Sequence, residues 1–444
     1  MKKILIIGAG RSSANMIRYL IEHAAEEQWI LRVGDMDASF AQQKIGNSSF
    51  GVAFKLDASD AIQRRAEIAA ADLVISMLPA VMHVMVAADC LEFGKSVITP
   101  SYVSDEMWQL DKLARERGIL LLNEMGVDPG IDHMSAMKII DELHGKGSEI
   151  ISFESFTGGL ISPESDNNPW NYKVTWNPKN VVLAGYGGTA KYRRNNEFRF
   201  IPYHRLFSEL TPVNIDGHGD FEGYANRDSL RYASIYNLEK IPTLYRGTLR
   251  RTGFCKAWNA LVQLGLTDDS FAIEQPEKMT WKQLTGAFIE FSDFDSPEAA
   301  LLNFTNDEDV FKKLIWLGIL EDKPLEIREG SPAFALQRLI EHKWKLDEHD
   351  KDMIVMWHRF KYKKDNTFHE LQASLVTNGD DPVYTAMSKT VGLPIAIAAK
   401  MILNGSMKLT GVHLPVIPEI YNPILKELEH YGICFNEKDK VIIN

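Results

Sequence analysis

Short apolar segments alternate with helical patterns along the first quarter of the chain. Residues 3–7 form an apolar run of the type buried in parallel sheets, and residues 8–13 form a glycine-containing turn before the first helical pattern. Five more apolar runs follow with helical patterns between them. Six strands connected in this way predict a doubly wound parallel α/β sheet of the Rossmann type. The five later strands are predicted at residues 29–34, 53–56, 72–79, 95–99 and 118–123.

The pattern changes after the sixth predicted strand. Residues 150–156 alternate between apolar and polar, as expected for a strand with one solvated face. Residues 245–251 predict another strand, and residues 353–358 and 368–376 predict a hairpin that returns to the same sheet. Apolar residues at helical spacing dominate between about 270 and 345. The pattern therefore predicts a second, mixed α/β domain with a small helical insertion.

Three segments are expected from these patterns. They are a dinucleotide-binding domain at 1–125, a mixed α/β domain at 126–390 with a helical insertion at about 270–345, and a C-terminal helical return at 391–444 that packs on the first domain. Near this return, residues 386–403 predict a helix interrupted at Gly392 and Pro394. The most apolar part of it, residues 390–403, is too short to span a bilayer. A last helix is predicted near residues 423–431.

Composition excludes several functional classes. The 444 residues are 45% hydrophobic and 25% charged, as in ordinary globular proteins, and the net charge of −11 argues against nucleic acid or an anionic membrane as the main partner. The three cysteines are widely separated and form no CxxC pair, which favours a reducing compartment. The apolar run near the N-terminus is too short for a signal peptide. We therefore expect a cytoplasmic protein.

The first glycine turn predicts a dinucleotide site. Gly8 permits a tight turn, Gly10 permits close approach of a pyrophosphate, and the following helix N-terminus offers free N–H groups. Asp35 ends the second predicted strand, where an acid binds the ribose hydroxyls of NAD and repels the extra phosphate of NADP. NAD is therefore the preferred coenzyme, with NADP possible; alternatively, Asp35 and Asp37 only open a loop. The other cofactor-binding candidates, on the turn and at later strand ends, are Ser12, Ser13, Asp57, Ser76 and Leu78.

Candidate proton-transfer groups follow the fifth and sixth predicted strands. Tyr102 and Asp128 both stand at carboxyl ends of strands, where ligands of doubly wound sheets bind. Alternatives remain: Tyr102 could be a packed aromatic side chain, Asp128 could cap the next helix, and Glu124 could replace Asp128 as the acid–base group. The adjacent Asp132 and His133 could be metal ligands or a structural hydrogen bond. The 12 histidines show no metal-binding spacing, and no metal is expected.

Basic and polar side chains accumulate among glycines and aromatics in the predicted second domain. In an acidic protein this predicts a pocket for an anionic substrate, although surface salt bridges would give the same composition. The substrate-binding candidates are Lys173, Asn226, Arg227 and Arg246, then Gly130 in the turn after Asp128, with Arg250 as a further cation.

Several long motifs resemble the saccharopine dehydrogenases that form L-glutamate, also called saccharopine reductases. The similarity begins at the first glycine turn and continues to about residue 435. The motifs are NEMGVDPGIDHMSAMKIID, GGLISPESDNNPWNYKVTWNPKNVVLA, EGYANRDS, LYRGTLRRTGF, AMSKTVGLPIAIAAKMILNG and GVHLPVIPEIYNPILKELEHYGI.

The resemblance implies an enzyme of lysine metabolism. It implies reversible oxidation of saccharopine to L-glutamate and 2-aminoadipate 6-semialdehyde, a second domain that binds substrate and forms a homodimer, and acid–base roles for Tyr102 and Asp128. Family members can carry a cysteine where this chain has Thr157, so a proton-transfer role for that thiol is absent here. The fungal members, which use NADP, are basic just after the second strand, whereas this chain has Asp35 and Asp37.

Two other functions remain open from the sequence. A related oxidoreductase acting on a polyamine-type imine, such as carboxynorspermidine dehydrogenase, would act on a substrate with fewer carboxylates, and the arginines argue against it. A catalytically silent NAD-binding regulatory protein is the second alternative, and the presence of Tyr102 and Asp128 argues against it.

Overall fold

The first part of the chain contains six short strands with helices between them. We describe residues 1–442 of a computed structural model. The strands are β1 (Lys2–Ile7), β2 (Trp29–Asp35), β3 (Gly51–Lys55), β4 (Leu73–Ser76), β5 (Ser96–Ile98) and β6 (Leu120–Leu122). The helices are α1 (Ala14–Glu22), α2 (Ala24–Glu27), α3 (Ala38–Ile45), α4 (Ala61–Ala70), α5 (His83–Phe93), α6 (Asp105–Trp108), α7 (Asp111–Glu116) and α8 (Ile131–Gly145).

The second domain follows, with long strands and a helical stretch between β12 and β13. Its strands are β7 (Glu149–Ile161), β8 (Ala190–Arg194), β9 (Glu197–Ile201), β10 (Thr211–Ile215), β11 (Gly219–Ala225), β12 (Thr243–Arg251), β13 (Asp352–Lys364) and β14 (Thr367–Asn378). Its helices are α9 (Pro178–Val182), α10 (Tyr232–Ile235), α11 (Phe254–Leu264), α12 (Trp281–Gly286), α13 (Pro297–Thr305), α14 (Glu308–Leu317) and α15 (Pro332–Lys343).

The chain then returns to the first domain before its last strand. The remaining elements are α16 (Ala386–Leu403), β15 (Gly411–His413), α17 (Pro418–Glu429) and β16 (Asn436–Val441). Two compact domains result: Met1–Glu149 with Leu375–Asn436, and Ile150–Ser374 with residues 437–442. The contacts thus place the divisions near 149 and 374, whereas the sequence pattern placed them at 125 and 390. Helix α8 and residues 375–390 are parts of the first domain, whereas β16, which lies within the predicted C-terminal return, is part of the second domain.

The first domain contains a seven-stranded, all-parallel sheet. Its strand order is β15-β6-β5-β4-β1-β2-β3, so the chain reverses its direction of travel across the sheet between β1 and β4. This is the doubly wound order predicted from the sequence, extended by β15 at one edge. Every residue of β4 and β6 is buried, because helices cover both faces of such a sheet.

The second domain contains a nine-stranded mixed sheet. The main path is β10-β11-β12-β7-β13-β14-β16, and β8 pairs with both β12 and β9. Strands β12 and β7 are parallel, whereas β10 is antiparallel to β11 and β11 is antiparallel to β12. The predicted return hairpin is confirmed as the adjacent pair β13 and β14.

Of two predictions about the C-terminal return, the interruption of its first helix is wrong, and the last helix is confirmed with an earlier start. Helix α16 continues through Gly392 and Pro394 without interruption, and α17 begins at Pro418 rather than near residue 423. A Cβ atom at Gly392 would lie 2.9 Å from the backbone nitrogen of Met16, so this glycine serves the close packing of α16 against α1. At 18 residues, α16 is long and apolar enough to cross a membrane by composition alone, and 83% of it is buried within the protein.

Candidate active site

The glycine turn lies at the carboxyl edge of the parallel sheet, beside the reversal between β1 and β4. Gly8 has φ +101°, and a Cβ atom there would lie 3.0 Å from the carbonyl oxygen of Met77, so both its backbone conformation and its neighbour require glycine. A Cβ atom at Gly10 would instead meet no heavy atom of residues 1–442 within 4 Å. The open space at Gly10 therefore fits the close approach of a dinucleotide, because packing within the protein does not require glycine there.

The start of the first helix completes this turn. Ser13 closes it through its backbone N–H and its hydroxyl, which both donate to the carbonyl of Gly10, at 3.2 Å and 2.9 Å. Ser12 lies beside it in the short 3-10 turn that precedes α1. The predicted cofactor-binding serines thus stand at a helix N-terminus, where unpaired N–H groups attract phosphate.

Asp35 and Lys44 form hydrogen bonds with the backbone of the glycine turn. The Asp35 carboxylate accepts hydrogen bonds from the N–H groups of Ala9 at 2.7 Å and Asp37 at 3.1 Å. The Lys44 ammonium donates to the carbonyls of Ala9 and Gly10. Burial lowers the pKa of Lys44 to about 8. No sequence pattern indicated Lys44, since its role depends on the contact between α3 and the turn.

Two further cofactor candidates have local structural roles. The Asp57 carboxylate accepts hydrogen bonds from the backbone and the hydroxyl of Ser59, at 2.9 Å and 2.6 Å, which lowers the pKa of Asp57. Ser76 is fully buried, and its hydroxyl lies 2.9 Å from Nδ1 of His83. Leu78 follows on the half-buried stretch after β4.

His83 connects the ends of β4 and β5. Its Nδ1 contacts Ser76, and its Nε2 lies 2.8 Å from the hydroxyl of Ser101. Burial lowers the pKa of His83 to about 4, so the imidazole is neutral near pH 7, when one ring nitrogen donates and the other accepts. No sequence motif pointed to His83. It lies directly behind the segment that carries Tyr102.

Tyr102 and Asp128 form a hydrogen-bonded pair. The Tyr102 hydroxyl donates to Oδ1 of Asp128 at 2.8 Å, and the tyrosine side chain is 41% exposed. The two residues follow β5 and β6, which are adjacent parallel strands, so the strand order brings their carboxyl ends together. The structure therefore joins the two groups that the sequence selected separately. An accessible phenol bonded to a carboxylate can take up, release and relay a proton.

The turn that carries Asp128 is tightly closed. Gly130 has φ +149°, and a Cβ atom there would lie 2.0 Å from the carbonyl oxygen of Gly126. Asp128 stands two residues before this glycine and does not cap α8, whose N-cap is Gly130. Glycine is thus required at position 130 by the turn itself, whether or not substrate contacts it.

Three ionisable side chains near this turn are buried: Glu124, Asp132 and His133. His133 Nε2 lies 2.9 Å from a carboxylate oxygen of Glu124, and its Nδ1 lies 3.6 Å from one of Asp132. Within residues 1–442, no three or more His, Cys, Asp and Glu side chains are arranged to hold a metal ion. The histidine is therefore a partner of carboxylates.

The predicted cation set of the second domain requires one correction. Lys173 is 3% exposed, and its ammonium lies 2.8 Å from Asp347 and 2.5 Å from Asp350. Burial opposes its charge, but the hydrogen bonds with these two carboxylates raise the pKa of Lys173 above its ordinary value. Because its charge is balanced inside the domain, we remove Lys173 from the candidates for binding substrate carboxylates.

Arg246 and Arg250 lie on one face of β12, four residues apart. Arg246 is buried, its backbone N–H donates to the Ser229 hydroxyl at 2.9 Å, and its guanidinium stacks 4.3 Å from the Tyr232 ring centre. Arg250 is buried among aromatic rings, and its NH1 group donates to the carbonyl of Leu249. The rings around it are those of Tyr172, Phe254 and Tyr224, with centres 5.2, 5.4 and 5.7 Å from the guanidinium carbon.

Arg227 is the accessible cation among the predicted residues. Its guanidinium has no hydrogen-bond or ion-pair partner within residues 1–442, and it lines a cavity of about 90 Å³ beside the glycine-containing loop at 185–188. Asn226 precedes it, and its side-chain carbonyl accepts from the Arg227 backbone at 2.9 Å. An accessible guanidinium beside a cavity can bind a carboxylate.

Thr157 is the residue that the resemblance described above compares with a cysteine. It lies on β7 and is buried, and its hydroxyl has no hydrogen-bond partner in the described part of the chain. The free thiols Cys90 and Cys255 are buried elsewhere, and Cys434 is exposed.

The two domains match family models that together cover most of the chain. Residues 4–122 match the saccharopine dehydrogenase NADP binding domain, and residues 126–433 match the saccharopine dehydrogenase C-terminal domain. The chain is 32% identical to the saccharopine dehydrogenases [NADP(+), L-glutamate-forming] of Pyricularia oryzae and Saccharomyces cerevisiae, with 98% of this chain and 99% of each fungal protein aligned.

Longer proteins match as well. The mitochondrial alpha-aminoadipic semialdehyde synthase of Mus musculus is 34% identical over 99% of this chain, but the alignment covers 48% of the mouse protein. The chain thus spans about half the length of these mammalian relatives.

The solved structures agree with these matches. Apo saccharopine dehydrogenase (L-Glu forming) from S. cerevisiae superimposes with a TM-score of 0.89 at 32% identity, covering 99% of this chain and 100% of the yeast chain. Homospermidine synthase from Legionella pneumophila, in complex with NAD, has a TM-score of 0.57 at 11% identity, covering 99% of this chain and 91% of that one. The second likeness concerns the fold alone.

Proposed function

The chain belongs to the saccharopine dehydrogenase family, and on this premise we propose that it interconverts saccharopine and L-glutamate. In the oxidative direction, saccharopine, water and an oxidised nicotinamide dinucleotide would give L-glutamate, 2-aminoadipate 6-semialdehyde, the reduced dinucleotide and a proton. The observation that carries the proposal is the Tyr102–Asp128 pair at the carboxyl edge of the parallel sheet. The glycine turn stands at the same edge, beside the end of β1.

The coenzyme would be held by the glycine turn and the first helix. Gly10 would leave room for a pyrophosphate, and the partial positive charge at the N-terminus of α1 would attract it. A bound nicotinamide ring accepts hydride from a carbon that bears nitrogen.

Asp128 and Tyr102 would manage the protons of the reaction. Saccharopine is a secondary amine, and its ammonium must lose a proton before the nitrogen can help to expel hydride from the adjacent carbon. Asp128 is the proposed acceptor of this proton. Water must then add to the imine carbon, and the nitrogen must be protonated before the carbinolamine separates into aldehyde and glutamate. Tyr102, through its bond to Asp128, would relay these protons.

The three carboxylates of saccharopine require cations. We propose Arg227 and Arg246 as carboxylate-binding residues, with Asn226 and the backbone at Gly130 as further contacts and Arg250 as a supporting cation. The accessible guanidinium of Arg227 and the position of Arg246 on β12 support this choice.

Replacement of Asp128 by asparagine tests the assignment. Asp128→Asn should lower kcat for saccharopine oxidation by about 10²–10⁴-fold, the usual effect of removing a general acid–base group, and should leave coenzyme affinity unchanged. Asp60→Asn is a matched control, since Asp60 is the N-cap of α4 and asparagine caps equally well. An unchanged kcat in Asp128→Asn would refute the role.

We further propose that Asp35 makes NAD the preferred coenzyme, although the fungal relatives are named for NADP(+). Asp35 ends β2 and Asp37 follows it, and the Lys44 ammonium donates to the carbonyls of the glycine turn. A 2′-phosphate near Asp35 would meet charge repulsion of roughly 1–3 kcal/mol, or about 5–150-fold in affinity.

The coenzyme proposal requires dissociation constants for NADH and NADPH measured side by side by fluorescence. Asp35→Ser should strengthen NADPH binding and weaken NADH binding, whereas the exposed residue Asp72 offers a matched control, Asp72→Ser, outside the glycine turn. Tighter binding of NADPH than NADH by the unmodified protein would overturn this proposal.

A homodimer in the cytoplasm is proposed from the family resemblance and the free cysteines. Light scattering after gel filtration should then give about 100 kDa, twice the 50.2 kDa of one chain. A mass near that of one chain would exclude the dimer.

A further inference from the structure

The position of Tyr102 depends on backbone contacts on both sides of it. The residue lies between β5 and α6 in a segment without regular structure, and its side chain is 41% exposed. Its hydroxyl nevertheless lies at hydrogen-bond distance from Asp128. Because neither burial nor regular secondary structure orients this side chain, hydrogen bonds to the neighbouring backbone must orient it.

Glu124 supplies contacts to both residues that flank Tyr102. The backbone N–H of Glu124 donates to the carbonyl of Ser101 at 3.2 Å, and the Glu124 carboxylate accepts from the N–H of Val103 at 2.9 Å. Glu124 is 1% exposed and has φ +59°, in the left-handed region that glutamate rarely adopts. With this backbone conformation, Glu124 bonds to the residues on both sides of Tyr102, once through its main chain and once through its side chain.

Asp132 makes the corresponding contact to the turn that carries Asp128. Its carboxylate accepts from the N–H of Gly130 at 2.7 Å, and its own N–H donates to the carbonyl of Val127 at 3.1 Å. These two bonds lie on either side of Asp128 and Pro129. Asp132 is 1% exposed, so water does not compete strongly for the bonds.

His133 lies between the two carboxylates. The fully buried imidazole is 2.9 Å from Glu124 and 3.6 Å from Asp132 through its two different ring nitrogens. One buried array, consisting of Glu124, His133 and Asp132, therefore contacts the backbone around both members of the Tyr102–Asp128 pair.

We propose that Glu124 is a positioning residue, which acts with His133 and Asp132 to fix the Tyr102 hydroxyl against the Asp128 carboxylate. The inference rests on the proposed function, because it assigns a role to Glu124 through the two proton-transfer groups. It also gives Glu124 a different role from that of an alternative acid–base group: the carboxylate is buried and its oxygens are used by Val103 and His133.

A double-mutant cycle separates positioning from simple structural support. Glu124→Ala should lower kcat by about 30–100-fold, in the range seen when a catalytic group is misplaced by an ångström. In a Tyr102→Phe background, the same change should lower kcat by less than about threefold, because the hydroxyl that Glu124 positions is already absent. Coenzyme affinity should stay within about twofold throughout, since the glycine turn is distinct from this array.

A matched control tests the loss of any buried carboxylate. Asp89 is buried in the same domain and is paired with Arg64 at 2.7 Å, and it contacts none of the candidate site residues. Asp89→Asn should lower the melting temperature but leave kcat of the folded enzyme unchanged. Glu124→Gln retains an oxygen for the Val103 N–H, so it should recover most of the activity lost in Glu124→Ala.

Hydrogen exchange gives a readout that does not depend on turnover. Peptides covering residues 99–104 should exchange faster in Glu124→Ala than in the unmodified protein, also in the Tyr102→Phe background, and Asp89→Asn should leave them unchanged. If Glu124→Ala is insoluble, Glu124→Gln and His133→Gln are compared by the same exchange and kinetic measurements. Equal exchange in all variants would overturn the inference.

The cycle also distinguishes failure of the inference from failure of the proposed function. If Tyr102→Phe alone leaves kcat unchanged, the proton-transfer assignment of Tyr102 is wrong and the inference falls with it. Suppose that Tyr102→Phe lowers kcat, and that Glu124→Ala lowers kcat by the same factor in the Tyr102→Phe background as in the unmodified protein. The assignment of Tyr102 then stands, and the positioning role of Glu124 is refuted.

Discussion

Lys173 provides a direct test of whether a buried cation binds substrate or supports the fold. Its ammonium bonds to Asp347, whose side chain is 72% exposed, and to Asp350, whose side chain is 8% exposed. Lys173→Met would leave the Asp350 carboxylate buried without its cation. Asp350 would then retain the Asp347 backbone N–H as a donor, at 2.6 Å.

The expected cost follows from burial. Removing one partner of a buried ion pair destabilises a protein by about 3–5 kcal/mol, whereas an exposed pair contributes up to about 1 kcal/mol. For a domain of this size, each kcal/mol lowers the melting temperature by roughly 2–4 °C, so Lys173→Met should lower it by about 10 °C. Asp347→Asn should lower it by no more than about 3 °C, because that side chain is mostly solvated.

Scanning fluorimetry and saccharopine kinetics together decide the role. Adding Asp350→Asn to Lys173→Met should recover part of the lost stability, since the unpaired buried charge is removed. Lys312→Met is a surface control, because that lysine is 69% exposed and its ion pair is with Glu308. A tenfold rise in KM with an unchanged melting temperature would refute our interpretation and restore Lys173 as a substrate cation.

Three other predictions concern the first domain. Gly8→Ala should lower the melting temperature, because the added methyl group would lie against the Met77 carbonyl. Gly10→Ala should keep its melting temperature, because its methyl group would occupy open space, and it should bind NADH and NADPH at least about tenfold more weakly in fluorescence titrations. The buried His83 has a folded-state pKa of about 4, below its ordinary 6.5, so the unfolded chain binds more protons between these values. The free energy of unfolding should therefore fall by up to about 3 kcal/mol from pH 6.5 to pH 4, a loss that urea titrations should find reduced in His83→Gln. Asp57→Ala should lower the melting temperature slightly and change NADH affinity less than about twofold, because the Asp57 carboxylate is already bonded to Ser59.

The parallel sheet was predictable because its signals are local. Each strand is a short apolar run, and the glycine turn after β1 identifies the cofactor edge before any pairing is known. The hairpin β8–β9 was missed, because its strands expose charged and aromatic side chains on a sheet edge. Its Asn195-Asn196 turn, with φ +53° and +66° at the two residues, is the local signal that could have revealed it.

Charged residues of the second domain could be selected from the sequence but not ranked. Lys173 meets Asp347 and Asp350 only after the chain has passed through β8 to β12 and helices α11 to α15, and no local pattern indicates that meeting. Arg227 has the same formal charge but stays accessible beside a cavity. Whether a cation is already neutralised depends on tertiary contacts, which composition does not contain.

The segment from Asn123 to His133 combines exposure and burial within eleven residues. Asp128 is only half-buried at the tip of a closed turn, whereas Glu124, Asp132 and His133 are each no more than 1% exposed. The sequence shows four ionisable groups without distinguishing their roles, because the turn and the start of α8 decide which of them face the interior. Gly130 makes this division possible: its φ of +149° closes the turn over Gly126, and the next residue begins the helix. The buried carboxylates bond to backbone N–H groups, while the Asp128 carboxylate accepts from the Tyr102 hydroxyl. For this reason we assign positioning and proton transfer to different residues of one short motif.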